Sequence, residues 1–243
     1  MNAHCRSRFR RLSAAGIAAT LAGVAGGFTS GSSASSMSFV LTEGRVQPGV
    51  GYAVRVDVIG AALTSGSSGP ALPITLRVHT GDTAADPFGD ADSTAGDINQ
   101  HALAVTKHVI PEMQDADTYV TITATSWDGG TALHQYNSHE QATFVKVLRN
   151  GDLTPDIAGA NGQEDVEYFL RPYLTPDGSR VWLHENQVLY LFELGTDDVN
   201  SSAADFQDAV VLVTLGETLE ELDADLPPMN NYAVPMRSPR LAD

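Results

Sequence analysis

Residues 187–214 read QVLYLFELGTDDVNSSAADFQDAVVLVT, and this stretch decides the fold. Two apolar runs, 188–194 and 209–215, flank a loop that carries Asp197, Asp198, Asn200, Ser202, Asp205 and Asp208. Runs so dense in Val, Leu, Tyr and Phe have the composition of strands buried in a core. An oxygen-rich loop between them repels itself unless water, hydrogen bonds or a hard cation satisfies it. The spacing fits a cation. Asp198, Asn200 and Ser202 alternate as in a calcium loop, and Asp205 and Asp208 lie three apart around Phe206. Glu193 stands near the loop mouth, one residue before the end of the incoming run. The predicted ligands of a structural calcium ion are therefore Glu193, Asp197, Asp198, Asn200, Asp205 and Asp208. The competing reading is an acidic hairpin loop without metal.

Outward from this stretch the chain reads as short strands. Residues 52–59 place Tyr52, Val54, Val56 and Val58 on one side and Ala53, Arg55, Asp57 and Ile59 on the other. That alternation predicts a half-buried strand with one wet face. Residues 73–80 repeat it through Ile74, Leu76 and Val78, and the Gly/Ser connection 64–69 predicts a hairpin between the two runs. Residues 38–43, 102–110, 119–126 and 142–148 add further strands, with Val120, Ile122 and Ala124 alternating with Thr. Pro48-Gly49, Asp128-Gly129-Gly130, Asn150-Gly151 and Asp177-Gly178 supply turns. One helix is expected at 163–174, where Val166, Phe169 and Leu170 share a face, acids fill the first turn and Pro172 closes it. A short acidic helix at 217–222 and a Pro/Asn-rich tail at 227–243, with the composition of disorder, complete the chain.

Residues 81–100 read as an acidic surface loop. Asp90, Asp92 and Thr94 alternate as in a calcium loop, but Ala95 stands where an EF-hand needs Gly and His101 where it needs an acid. A solvated loop is the preferred reading there. Many short strands, frequent turns and one helix predict a mainly β fold, an antiparallel β-sandwich or jelly roll. It is expected as one domain over 37–226, with sub-lobes 37–150 and 151–226 as the alternative.

Residues 1–36 have the pattern of an export signal. Arg6, Arg8, Arg10 and Arg11 precede an apolar, Ala/Gly-rich run at 12–28 and a small, polar stretch at 29–36. A membrane anchor is the competing reading, but the run is short and followed by no stop-transfer charges. The whole chain has 14 Lys and Arg against 30 Asp and Glu, a net charge of −16. Without residues 1–36 it loses four arginines and no acid, and reaches −20. So acidic a surface argues against nucleic acid and anionic membranes as partners, and suits divalent cations or a salty habitat. The sole cysteine, Cys5, lies in the leader. An exported protein built this way does without disulfides, so its stability comes from a core, from metal, or from both.

Known catalytic patterns are missing. There is no G-x-S-x-G after the leader, no phosphate-binding or dinucleotide loop, and neither His139-Glu140 nor His184-Glu185 extends to a zinc helix motif. His134 and His139, in a stretch read as a polar loop, could supply half of a transition-metal site, with solvated histidines as the plainer reading. Carboxylates are abundant enough for glycoside hydrolysis, but the sequence singles out no pair. Trp127, Tyr119 and Tyr136 could stack on sugars, although scattered aromatics are more often core.

The runs YLFELG (190–195) and ADFQDAVVLV (204–213) together resemble the carboxy-terminal signature of a bacterial family of exported domains of unknown function. That signature has Phe-Glu-(Asp/Leu), a short Gly/Asp loop, then Asp-x-Asp-Phe-Asn-Asp and a strand of Val. Glu193, Asp205, Phe206 and Asp208 match it, Gln207 stands where Asn is usual, and Ala203 replaces the first Asp, whose role falls to Asp197 or Asp198. The resemblance implies a calcium-binding β-sandwich of secreted, surface-attached and adhesin-like proteins.

The expected protein is thus an exported, calcium-stabilised module of the cell surface or extracellular matrix. Its role would be binding, adhesion or structure, with an extracellular glycan or a surface protein as partner and no membrane insertion once the signal is cleaved. A secreted polysaccharide hydrolase is the alternative, and an envelope component that self-assembles through edge strands is a third.

Overall fold

The computed structural model describes residues 37–66, 69–99, 106–140, 143–157, 166–223 and 228–229. The expected leader at 1–36, and all of the expected tail except 228–229, lie outside the described residues.

The apolar runs at 188–194 and 209–215 form β10 (Gln187–Phe192) and β11 (Ala209–Gly216), paired antiparallel from Gln187 opposite Thr214 to Phe192 opposite Ala209. Every residue of both strands is buried. A strand can be apolar on both faces only where both faces are covered, and that is the arrangement here. β3 (Tyr52–Ala61), β6 (Thr106–Gln114) and β9 (Val145–Arg149) complete a five-stranded sheet in the order β6-β3-β11-β10-β9. This sheet draws strands from both sides of residue 150.

The second sheet holds β1 (Phe39–Thr42), β2 (Arg45–Pro48), β4 (Ile74–Thr80), β5 (Thr83–Ala85), β7 (Val120–Asp128) and β8 (Thr131–Asn137). Its order is β1-β2-β7-β4-β5, with β8 also paired to β7. All pairings are antiparallel, and the inward residues of the two sheets share one core. Val54, Val56, Tyr190, Phe192 and Val213 meet Leu76, Val78, Ile122 and Tyr136 there. The molecule is an antiparallel β-sandwich, as the turn-rich sequence implied.

A second core covers the back of the five-stranded sheet. Leu189, Leu191, Val210 and Leu212 pack against Phe169 and Leu170 of α1 (Val166–Leu170) and against Leu174, Val181 and Leu183. The expected wet face of β3 therefore does not exist. Nine of its ten residues are buried, and Arg55 and Asp57 pair with each other at 2.9 Å beneath the Leu222 carbonyl of α2 (Leu219–Asp223). Gly60 sits where α1 crosses, its Cα hydrogen facing the Phe169 ring where a Cβ would collide.

Other expectations are corrected. β3 and β4 do not form a hairpin, because the intervening chain crosses between sheets and β4 pairs with β5 and β7 instead. The helix at 163–174 keeps α-geometry only over Val166–Leu170, then tightens into a 3-10 turn at Arg171–Tyr173 around Pro172, which has no N–H to continue the ladder. Residues 163–165 lie outside the described residues. No helix among the described residues is long and apolar enough to cross a membrane.

Candidate metal centre

Glu193 follows the last residue of β10, and its N–H donates to the Phe144 carbonyl at 2.9 Å. Asp208 precedes the first residue of β11, and its carbonyl accepts the Ala62 N–H at 3.2 Å. Antiparallel pairing thus delivers the two acids side by side at one end of the sheet. The turn before β11 adds Asp205. All three are buried, at 0%, 2% and 4% exposure, and one oxygen from each lies within 4.8 Å of the others.

Glu193 is the hub. Its Oε2 accepts the N–H groups of Asp205 at 2.8 Å and Phe206 at 3.1 Å, and its Oε1 accepts the Gly195 N–H at 3.0 Å. Successive backbone N–H groups converging on one anion form a nest. Phe206 stands at φ +54°, a left-handed conformation that costs a non-glycine residue on the order of 1–3 kcal/mol. The Phe206 ring is buried in the second core, with Lys146 Nζ 4.2 Å from its centroid. Asp208 Oδ2 accepts the Leu194 N–H, and Asp205 Oδ2 accepts Gln207 Nε2 at 2.9 Å. Gly195 completes the crowding: a Cβ there would stand 3.3 Å from Glu193 Oε1 and 3.4 Å from Asp208 Oδ2.

Burial works against three charges so close together. The Asp208 carboxyl is raised well above the ordinary carboxylate range, first by desolvation and then by the charges of Glu193 and Asp205. Glu193 is raised too, mainly by desolvation, with the Phe206 and Gly195 N–H groups opposing the shift. Glu193 takes three N–H bonds and is the better anion, so of the two Asp208 is the carboxyl that takes up a proton more readily. No ion pair among the described residues reaches either group.

The arrangement has two chemically sensible states. In one, Asp208 is protonated and the cluster is a hydrogen-bonded knot. In the other, a divalent cation replaces the proton and all three acids ionise. The donor set fits a hard cation, because every side-chain ligand is a carboxylate oxygen, the type that calcium and magnesium take. Glu193 Oε1 and Asp208 Oδ2 each accept one backbone N–H and retain a lone pair for an ion, whereas Glu193 Oε2 already accepts two. Among the described residues the cluster consists of carboxylates alone.

The structure brings together Glu193, Asp205 and Asp208 of the six expected ligands. Asp197, Asp198 and Asn200 lie exposed on the loop above them. Asp198 Oδ1 accepts the Asn200 N–H at 3.0 Å, a local Asx turn that uses the alternation for backbone bonding instead of an ion. Asp197 acts at longer range: with Glu193 it adds to the burial that raises the Tyr136 phenol. In the loop at 81–100, Asp86 and Asp92 both pair with Arg77, and Asp90 accepts the Ser93 hydroxyl.

His134 and His139 each have a local hydrogen-bond partner. His134 lies on β8 beside the Tyr136 hydroxyl, and His139 Nδ1 lies 2.9 Å from the Glu43 carbonyl. Trp127 and Tyr136 are core residues. Sequence reasoning missed the nest and the left-handed Phe206. Comparison of the chain with protein-family models, curated proteins and solved structures yields no match.

Proposed function

We propose that the protein is an exported β-sandwich stabilised by calcium, serving as a binding or adhesion module of the cell surface or extracellular matrix. The observation that carries the reading is the burial of Glu193, Asp205 and Asp208 within 4.8 Å of one another at the β10–β11 junction. Three carboxylates buried within 4.8 Å of one another cannot all ionise at neutral pH without a cost, and a cation among them relieves it. Calcium suits these carboxylates better than magnesium, because its larger shell does not demand a near-ideal octahedron. Export is supported by the leader pattern at 1–36. The acidic surface agrees with a protein that works among cations and away from nucleic acids.

Thermal melting in calcium and in chelator tests the proposal. A ligand that binds only the folded state adds RT ln(1 + [L]/Kd), about 2.7 kcal/mol at a hundredfold excess over Kd. The Tm is expected to rise by several degrees with calcium and to stop responding in Asp205→Ala. An unchanged Tm in the parent protein, with Asp205→Ala equally stable, would remove the cation from the proposal.

A further inference from the structure

Two arginines line one cavity on the outer face of the six-stranded sheet, and the fold treats them oppositely. On β4, Leu76 and Val78 face the core, so Arg77 and His79 face outward. On β2, Val46 pairs with Val120 and enters the core, which turns Arg45 to the same outer side. The cavity that both arginines line measures about 340 Å³ and is floored by Thr121 and Thr123 of β7.

Arg77 is spent. Its Nε and Nη2 donate to Asp86 at 2.7 and 2.9 Å, and its Nη1 and Nη2 to Asp92 at 3.1 and 2.9 Å. The floor is spent too. The Thr123 hydroxyl accepts Asn137 Nδ2 at 2.9 Å and lies 2.9 Å from His79 Nε2. Burial and the Arg77 charge hold the His79 imidazole below its ordinary range, so it is neutral at pH 7.

Arg45 is not spent. Its side chain makes no hydrogen bond or ion pair among the described residues, and its Nε is buried without an acceptor. The guanidinium lies 4.6 Å over the Tyr119 ring, a contact that holds the group in place and supplies no acceptor oxygen. A donor withdrawn from water with nothing to accept it is costly. It is also unexpected in a chain with 30 Asp and Glu against 14 Lys and Arg. Among the described residues, the one acid lining the cavity is the exposed Glu140, and it is not paired with Arg45.

The chemistry of a fitting ligand follows. One unpaired guanidinium offsets one negative charge. Arg77 with its two carboxylates is net negative and Glu140 adds to it, so a second charge on the ligand is repelled. A carboxylate carries a single charge and offers two oxygens to the planar fork of N–H groups. A phosphate dianion or a sulfated polymer brings more charge than the site offsets. The remaining lining is mostly hydroxyl, amide and imidazole, and an apolar body would cover those groups without replacing their water.

We propose that the Arg45 end of this cavity binds a small carboxylate monoanion with a hydroxylated body, a sugar acid. The site supplies a ligand for the binding role proposed above, and it is independent of the carboxylate cluster at the β10–β11 junction.

The test titrates the full chain with glucuronate, glucose and inorganic phosphate, in chelator and below its melting temperature, with binding read from amide NMR shifts. Saturable shifts around Arg45 and Tyr119 are expected with glucuronate, and binding at least about tenfold weaker with glucose and with phosphate. Arg45→Gln should weaken glucuronate binding about tenfold, and Arg45→Lys, which keeps the charge without the fork, should fall between the two. Glu140→Gln, at an exposed position, should tighten it about two- to threefold by removing a like charge. That variant tests the site even if Arg45→Gln does not fold. Because chelator is present throughout, the result does not depend on a cation at the β10–β11 junction. No saturable response to glucuronate, glucose or phosphate binding as tightly, undiminished binding by folded Arg45→Gln, or Glu140→Gln binding no tighter than the parent would each overturn the proposal.

Discussion

Glu193 holds the N–H of Phe206 at 3.1 Å on the same oxygen that takes the N–H of Asp205, and Phe206 stands in the left-handed region at φ +54°. An acid leaving one strand thereby fastens the turn that enters the next. Glu193→Ala leaves three backbone N–H groups without their acceptor, and each costs about 1–3 kcal/mol if it stays dry. A loss of roughly 3 kcal/mol or more is expected in urea unfolding, and Glu193→Gln, which keeps one acceptor oxygen, should lose less.

The raised carboxyls of Asp208 and Glu193 set a pH dependence of definite sign. Their ordinary values are 3.8 and 4.5, and both are higher in the folded protein. Between the ordinary and the raised values the folded state holds more protons than the unfolded chain, so stability falls as pH rises. The penalty is absent below about pH 4 and grows toward neutrality. Asp86 and Asp177, whose carboxyls are lowered by hydrogen bonds to Arg77 and Thr175 respectively, work in the opposite direction. The difference between Asp208→Asn and the parent cancels them. In chelator, Asp208→Asn should gain on the parent as pH rises from 4 to 7, and in calcium the order should reverse. A difference that ignores both pH and calcium would contradict the shared proton.

The buried Arg55–Asp57 pair ties β3 to the carbonyl of Leu222 in α2. Removing one partner of a buried pair costs about 3–5 kcal/mol. Arg55→Leu is therefore expected to lower the Tm sharply and to speed amide exchange around Leu222, where the Arg55 Nη1 bond is lost. Normal exchange there would show that α2 is held by other contacts.

Gly60 is fixed by the ring of Phe169, which occupies the place of its missing Cβ. Gly60→Ala is expected to destabilise by about 1–3 kcal/mol, the cost of overpacking. Adding Phe169→Leu should recover part of that loss, because the smaller side chain opens the space. A further loss in the double variant would show that the strand, not the ring, resists the methyl.

Much of this architecture was legible in the sequence, for physical reasons that differ between elements. β7, β10 and β11 announced themselves because alternation or unbroken hydrophobicity follows directly from which faces are covered. β3 misled, because Arg55 and Asp57 read as solvent-facing while their mutual pairing let them be buried. The β3–β4 hairpin failed since local turn chemistry cannot tell a hairpin from a crossover between sheets. β8 was hidden by its exposed Thr131, Leu133 and Gln135, which gave TALHQYN the look of a loop. At the site, Glu193, Asp205 and Asp208 were recognisable from acid–aromatic–acid order beside a buried strand. The alternation of Asp198 and Asn200 was equally suggestive, but a short Asx turn satisfies those groups first. The registers of β4 and β8 against β7 could not be foreseen, because pairing partners are not written in local sequence.

The most direct measurement is a calorimetric titration of the metal-free protein with calcium, in two buffers of different ionisation heat. A single site is expected, with proton release on binding near neutral pH, as the proton shared by Glu193 and Asp208 gives way to the ion. Asp208→Asn should abolish the proton release and weaken the binding at least tenfold, and magnesium should bind more weakly than calcium. No saturable heat in the parent protein, or an isotherm unchanged in Asp208→Asn, would contradict a cation at this junction.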